Sequence, residues 1–181
     1  VLFLVMGIRN SLFVVFAIPM SIMITMAILQ AVSISLNMIV LFSLILVLGM
    51  LVDNAIVLVE NSFRHRNLGN DAHTSALLGA SEITMAITGS TATTAAAFIP
   101  LLFWPDVIGK FMWYLPITLI TALTASLFVA LVMNPVLCSI WLEPARKVSR
   151  LSNMLHKTGD KFLSLYVSAL EVCLKYPKSL F

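Results

Sequence analysis

The chain has 181 residues, of which 60% are hydrophobic and 10% charged, with a net charge of +3. A soluble chain carries roughly 25% charged residues, so an ordinary water-soluble domain is excluded: it could not cover its surface with so few charges. The charges are also gathered together, leaving four long stretches almost free of them, and apolar runs of about 18 or more residues read as membrane spans.

In chain order, residues 1–6 read as the tail of an incoming span and residues 7–10, Gly-Ile-Arg-Asn, as a tight turn. Residues 11–30 form the first complete span, with Pro19 as a kink site. Residues 36–59 form the second, about 36 Å long at about 1.5 Å per residue, and it contains Asp53 and Asn54. Residues 60–82 are polar, with Arg64, His65, Arg66, Asp71 and His73, and Asn67-Leu68-Gly69-Asn70 reads as a helix stop followed by a turn. Residues 83–104 form the third span, rich in small residues from Gly89 to Ala97 that allow close helix approach in lipid. Residues 105–110 are a short loop. Residues 111–142 form the fourth span, with Pro116 near its start and Pro135 near its end. Beyond it, Leu151, Met154, Leu155, Phe162, Leu165, Tyr166, Ala169, Leu170 and Cys173 recur on one helical face, as an amphipathic helix lying in the membrane interface would have them. The fold class is therefore all-α: a polytopic transmembrane helix bundle with four complete spans, partial spans at its ends and a cytoplasmic interfacial helix. Its organisation divides into a bundle over residues 1–145 and a surface helix with linker over residues 146–178. The chain begins inside one apolar run and stops as another starts, so we expect an excerpt of a longer protein.

Orientation follows from the cations. Of the 11 Lys and Arg residues, the alternation of spans places all but Lys110 on one side of the membrane. That side is expected to be cytoplasmic by the positive-inside rule. Trp104, Trp113 and Tyr114 then fall at the opposite interface and Trp141 at the cytoplasmic one, where aromatic belts form.

Asp53 is the only acidic residue well inside an apolar span. A carboxylate at membrane depth costs about 2.5–3.5 kcal/mol on the insertion scale unless it is paired or protonated, so such acids are functional by default. Burial raises the pKa of such a group and a nearby cation lowers it. Between those pulls it can bind and release protons. Asn54 cannot titrate but can hydrogen-bond across helices, and we assign both residues to a proton relay. Gly49, one turn before Asp53, gives a partner helix room. Thr91, Thr93 and Thr94 are candidates for relay support, against the blander reading of packing with hydroxyls bonded back to their own helix. Glu60 reads as a solvated or capping group. His65 and His73 have no Cys or acid at metal-ligand spacing, so no metal site is expected. The ten Met residues are scattered through the spans as packing groups, and Cys138 and Cys173 read as buried thiols. The chain carries no H-E-x-x-H, no G-x-S-x-G, no P-loop and no second deep carboxyl, which argues against an intramembrane enzyme.

The segment Gly49-Met50-Leu51-Val52-Asp53-Asn54-Ala55-Ile56-Val57-Leu58-Val59-Glu60-Asn61 resembles the resistance-nodulation-division (RND) exporters, whose segment reads approximately G-x-x-V-D-[DNA]-A-I-V-x-x-E-N. Phe98-Ile99-Pro100-Leu101 and Asn134-Pro135-Val136-Leu137-Cys138 resemble the family's F-[VI]-P and [TN]-P-[AV]-L-C, in the same order and spacing. The resemblance covers essentially the whole chain and implies the first transmembrane repeat of a permease, from the end of its second helix to the start of its seventh. It further implies a homotrimer in the bacterial inner membrane that exports small molecules in exchange for protons. A periplasmic adaptor and an outer-membrane channel would be its partners. No cofactor is implied beyond the proton motive force, and no nucleic acid. In the drug-exporting branch two adjacent aspartates face a lysine of the second repeat. Asp53 matches the first, and Asn54 stands where the second would be, as in branches that keep a single acid. Two rivals remain: a sterol-sensing-like regulatory bundle, which would tolerate loss of Asp53, and a proton-driven protein-export auxiliary subunit.

Overall fold

In the computed structural model, residues 7–105, 109 and 112–144 are described. The expected amphipathic helix, the incoming span and the side chains of Arg9 and Lys110 lie outside the described residues. Helix α1 spans Gly7–Ala31, α2 Met38–Asn67 and α3 Ala72–Phe98, the last continued by a 3-10 turn over Ile99–Phe103. Helix α4, Tyr114–Phe128, passes through a π-turn at Val129–Met133 into α5, Asn134–Trp141. No strand occurs among the described residues. Four helical stretches are long and apolar enough to cross a membrane: Asn10–Ala31, Met38–Asn67, Ala72–Phe103 and Tyr114–Trp141.

The helices outrun the apolar windows from which they were expected. Residues 7–10 begin α1 and are not a separate turn. Polar residues 60–82 were expected between spans, with a helix stop at Asn67; α2 does end at Asn67, and α3 already starts at Ala72. The reason is that their polar groups satisfy one another. The Glu82 carboxylate accepts hydrogen bonds from Asn61 Nδ2 and Arg64 Nη2, both at 2.9 Å, and Asn61 Nδ2 also reaches the Gly79 carbonyl at 3.0 Å. Asp71 caps α3 by accepting from the Thr74 amide at 3.3 Å, and Asn37 caps α2 by accepting from the amides of Ile39 and Val40. Each cap satisfies donors that a helix start leaves open. Only Gly69, at φ +100°, takes the left-handed conformation that the turn between α2 and α3 needs.

Helix α2 is the hub of the bundle and packs on α3, α4 and α1. Its inward stripe, Val47, Leu51, Ala55, Leu58 and Val59, is almost fully buried. At its basic end Val59 and Phe63 join Phe13, Val14 and Ala17 of α1 and Cys138 of α5 in one cluster. Nearer the middle Val47 and Leu51 pack on Leu119, Ala122 and Leu123 of α4. The two ends of the bundle's sequence are tied together where Asn10 Nδ2 donates to the Glu143 carbonyl at 3.1 Å.

Helices α2 and α3 meet at backbone contact at Gly79, outside the run from Gly89 to Ala97. A Cβ on Gly79 would stand 2.6 Å from Ser62 Cα, whereas one on Gly89 would meet nothing within 4 Å. The fourth span breaks register at Pro135, which has no N–H to offer the preceding turn. There the Asn134 amide donates to the Val129 carbonyl, five residues back.

Candidate functional site

Consecutive residues on a helix lie about 100° apart, so the adjacent pair Asp53 and Asn54 is divided between two faces of α2. Asn54 turns inward and is 9% exposed. Its Nδ2 donates to Thr91 Oγ1 of α3 at 3.2 Å, and the Thr91 hydroxyl is 3.4 Å from Asn54 Oδ1, placed to donate in return. Two residues before Asp53, the Leu51 carbonyl accepts from the Ser126 hydroxyl of α4 at 3.0 Å, in a buried contact. Helix α2 is thus held by hydrogen bonds from two neighbours within one turn of Asp53. These bonds fix its rotation, and with it the direction in which the carboxylate points.

Asp53 itself is exposed, directed away from the four helices. Around it the outward stripe of α2 is apolar: Leu46, Met50 and Val57 are all exposed. Gly49 has nothing within 4 Å of the position its Cβ would take. Among the described residues no cation or hydrogen-bond donor pairs with Asp53. An acid on an apolar, membrane-spanning face needs such a partner or a proton.

The three threonines separate by role. Only Thr91 reaches α2. Thr93 donates to the Gly89 carbonyl at 2.8 Å and Thr94 to the Ser90 carbonyl at 2.9 Å, each on its own helix. The structure therefore brings Asn54 and Thr91 together beside Asp53 and leaves Thr93 and Thr94 apart.

Toward the basic end, α2 and α3 carry a second polar group. Arg64 and His65 both approach one oxygen of Glu82, at 2.9 and 3.0 Å. His65 is helical and buried. An open cleft of about 390 Å³ lies beside this group, lined by Val57, Glu60, Asn61, Arg64 and neighbours. Glu60 is exposed on the Asp53 side of the helix, two turns on. A larger groove of about 740 Å³ between α1 and α5 holds none of the relay candidates; Phe13, Phe16, Met20 and Arg66 are among its walls. Among the described residues no group of three His, Cys, Asp or Glu side chains comes together as a metal site.

Sequence reasoning missed Ser126, and it missed the placement of Ser62 against Gly79. Both are common residue types whose roles exist only through the pairing of helices far apart in sequence. Nothing in a single span marks them.

The geometry agrees with the sequence segments around Asp53, Pro100 and Asn134 in placing a membrane acid on a central helix of an all-helical bundle. Residues 1–181 match the model of the AcrB/AcrD/AcrF family over their whole length. The chain belongs to that family of RND-type transporters and is part of a multi-pass membrane protein.

Proposed function

We propose that this chain supplies the proton-relay helix of an exporter that exchanges protons for small molecules across the bacterial inner membrane. The observation that carries the reading is Asp53: an acid on the outward apolar face of α2, without a partner among the described residues, one turn from the bare backbone of Gly49. Such a face suits a second helix that approaches closely and brings a cation. Protonation of Asp53 from the periplasmic side would remove the charge that holds that cation, and release to the cytoplasm would restore it. A local change of charge can bias a bistable packing and so drive distant parts of a protein. Asn54 and Thr91 stay fixed to each other and hold the carboxylate in register, so the relay on this helix carries one titrating group. Thr93 and Thr94 then serve α3 alone. Membership of the family supports assembly as a homotrimer with a periplasmic adaptor and an outer-membrane channel. It also supports small molecules as cargo, with the proton motive force as the energy source.

The test is Asp53→Asn in the full-length protein, compared with wild type at matched membrane levels by drug and metal susceptibility. Loss of export with normal insertion is expected. Unchanged export would make Asp53 structural and would favour a regulatory, sterol-sensing-like bundle, which needs no titrating acid.

A further inference from the structure

A seam of polar side chains runs inside the bundle from the level of Asp53 toward the basic end. On α2, Asn54, Ser62 and His65 lie at helical spacing on one buried face, with the apolar Leu58 between Asn54 and Ser62. Helix α3 answers with Thr91 opposite Asn54, Gly79 against Ser62 and Glu82 beside His65. Helix α5 supplies Asn134 and Cys138, one turn apart and both at 0% exposure. Cys138 lies beside the Ser62 hydroxyl. Helices α2 and α5 run in the same direction across the membrane, so Asn134 sits one turn deeper than that contact, between it and the Asn54–Thr91 pair.

Neither Nδ2 nor Oδ1 of Asn134 has a hydrogen-bond partner among the described residues, and Ser62 Oγ has only the thiol, a weak acceptor, beside it. Buried amides are almost always satisfied, by protein or by ordered water. Pro135 adds to the demand, because its missing N–H leaves a carbonyl of the preceding turn short of a donor. The π-turn at Val129–Met133 widens the helix at this point, a feature common at functional sites. An amide, a hydroxyl and a freed carbonyl supply the two to four polar partners, roughly, that a buried water requires.

We propose that Asn134 holds bound water inside the bundle, shared with the Ser62 hydroxyl and the carbonyl left short of a donor by Pro135. The site faces inward, away from the outward side of α2 that carries Asp53, and is independent of the carboxylate. Asn134 acts as a positioning residue for that water.

The experiment is X-ray radiolytic footprinting of the full-length protein in nanodiscs, with a scavenger for radicals in bulk solution. Radiolysis turns bound water into hydroxyl radicals that oxidise the side chains beside it, and Cys138 is the reporter. Oxidation of Cys138 in the wild type, its loss in Asn134→Leu and its retention in Asn134→Thr are expected. An unmodified Cys138 in the wild type overturns the proposal whether or not the variants fold. Footprinting needs no transport: if Asp53→Asn exports normally while Cys138 is oxidised, the carrier reading falls and the water site stands.

Discussion

Replacing Gly79 by alanine isolates what holds α2 to α3. The added methyl would lie 2.6 Å from both Cα and Oγ of Ser62 and 2.7 Å from its amide nitrogen. Ordinary carbon contacts sit at about 3.5–4.0 Å, so the helices must separate by about 1 Å. Two of the three obstructing atoms are backbone and cannot rotate away. Overpacking of this kind costs about 1–3 kcal/mol, while alanine in place of glycine within a helix returns about 1 kcal/mol. With two of the three obstructing atoms in the backbone the clash should win, leaving a net loss of up to about 2 kcal/mol. The separation also stretches the 3.0 Å hydrogen bond from Asn61 to the Gly79 carbonyl, and with it the Glu82 group. Thermal melting of the purified full-length protein, followed by size exclusion, reads the effect, and Gly79→Leu should fall further than Gly79→Ala. If Gly79→Ala melts at or above the wild-type temperature, α2 and α3 do not cross at backbone contact and the reasoning fails.

Further outcomes follow from the same geometry. A double-mutant cycle with Asn54→Leu and Thr91→Val should return a coupling of about 0.6 kcal/mol, and no more than about 1.7, the range for hydrogen bonds within membranes; zero coupling would show that the pair is not formed. Gly49→Leu should leave α2 helical by circular dichroism yet lower export, because its side chain would prop off any helix approaching Asp53; unimpaired export would mean that no helix approaches there. The Asp71 carboxyl is held below its usual range by its hydrogen bond to Thr74. A carboxylate with a lowered folded pKa stabilises the protein above its unfolded value and loses that contribution as pH falls through the folded one. The difference in melting temperature between wild type and Asp71→Ala should therefore shrink on acidification below the usual carboxylate range, and a constant difference would contradict the cap.

Much of this protein is legible in one dimension, because a bilayer reduces the alternatives. A segment in lipid must satisfy its own backbone, so a charge-free run of sufficient length has to be a helix. The four spans and the placement of Asp53 within the second follow from that alone. The turn at Gly69 was equally legible, since glycine meets its steric demand at little cost. The stop of α2 at Asn67 was legible too, but the early start of α3 at Ala72 was not. Residues 60–82 look like a polar connection until Asn61, Arg64 and Glu82 are seen to bind one another across α2 and α3.

Helix pairing decided the rest. The sequence marks Asp53 and Asn54 as neighbours in one motif, and only the rotation of α2 sends one outward and the other to Thr91. Three threonines of α3 look alike in sequence, yet a turn of about 100° per residue allows Thr91 to face α2 while Thr93 and Thr94 bond to their own backbone. The small residues from Gly89 onward advertise close packing, but the glycine pressed against a neighbouring backbone is Gly79, where Ser62 lies opposite, while Gly89 stands clear. Hydropathy is a sum over a window and identifies which segments enter the membrane. Contact is a property of two surfaces at a chosen rotation, and it existed only once α2, α3 and α5 were placed side by side.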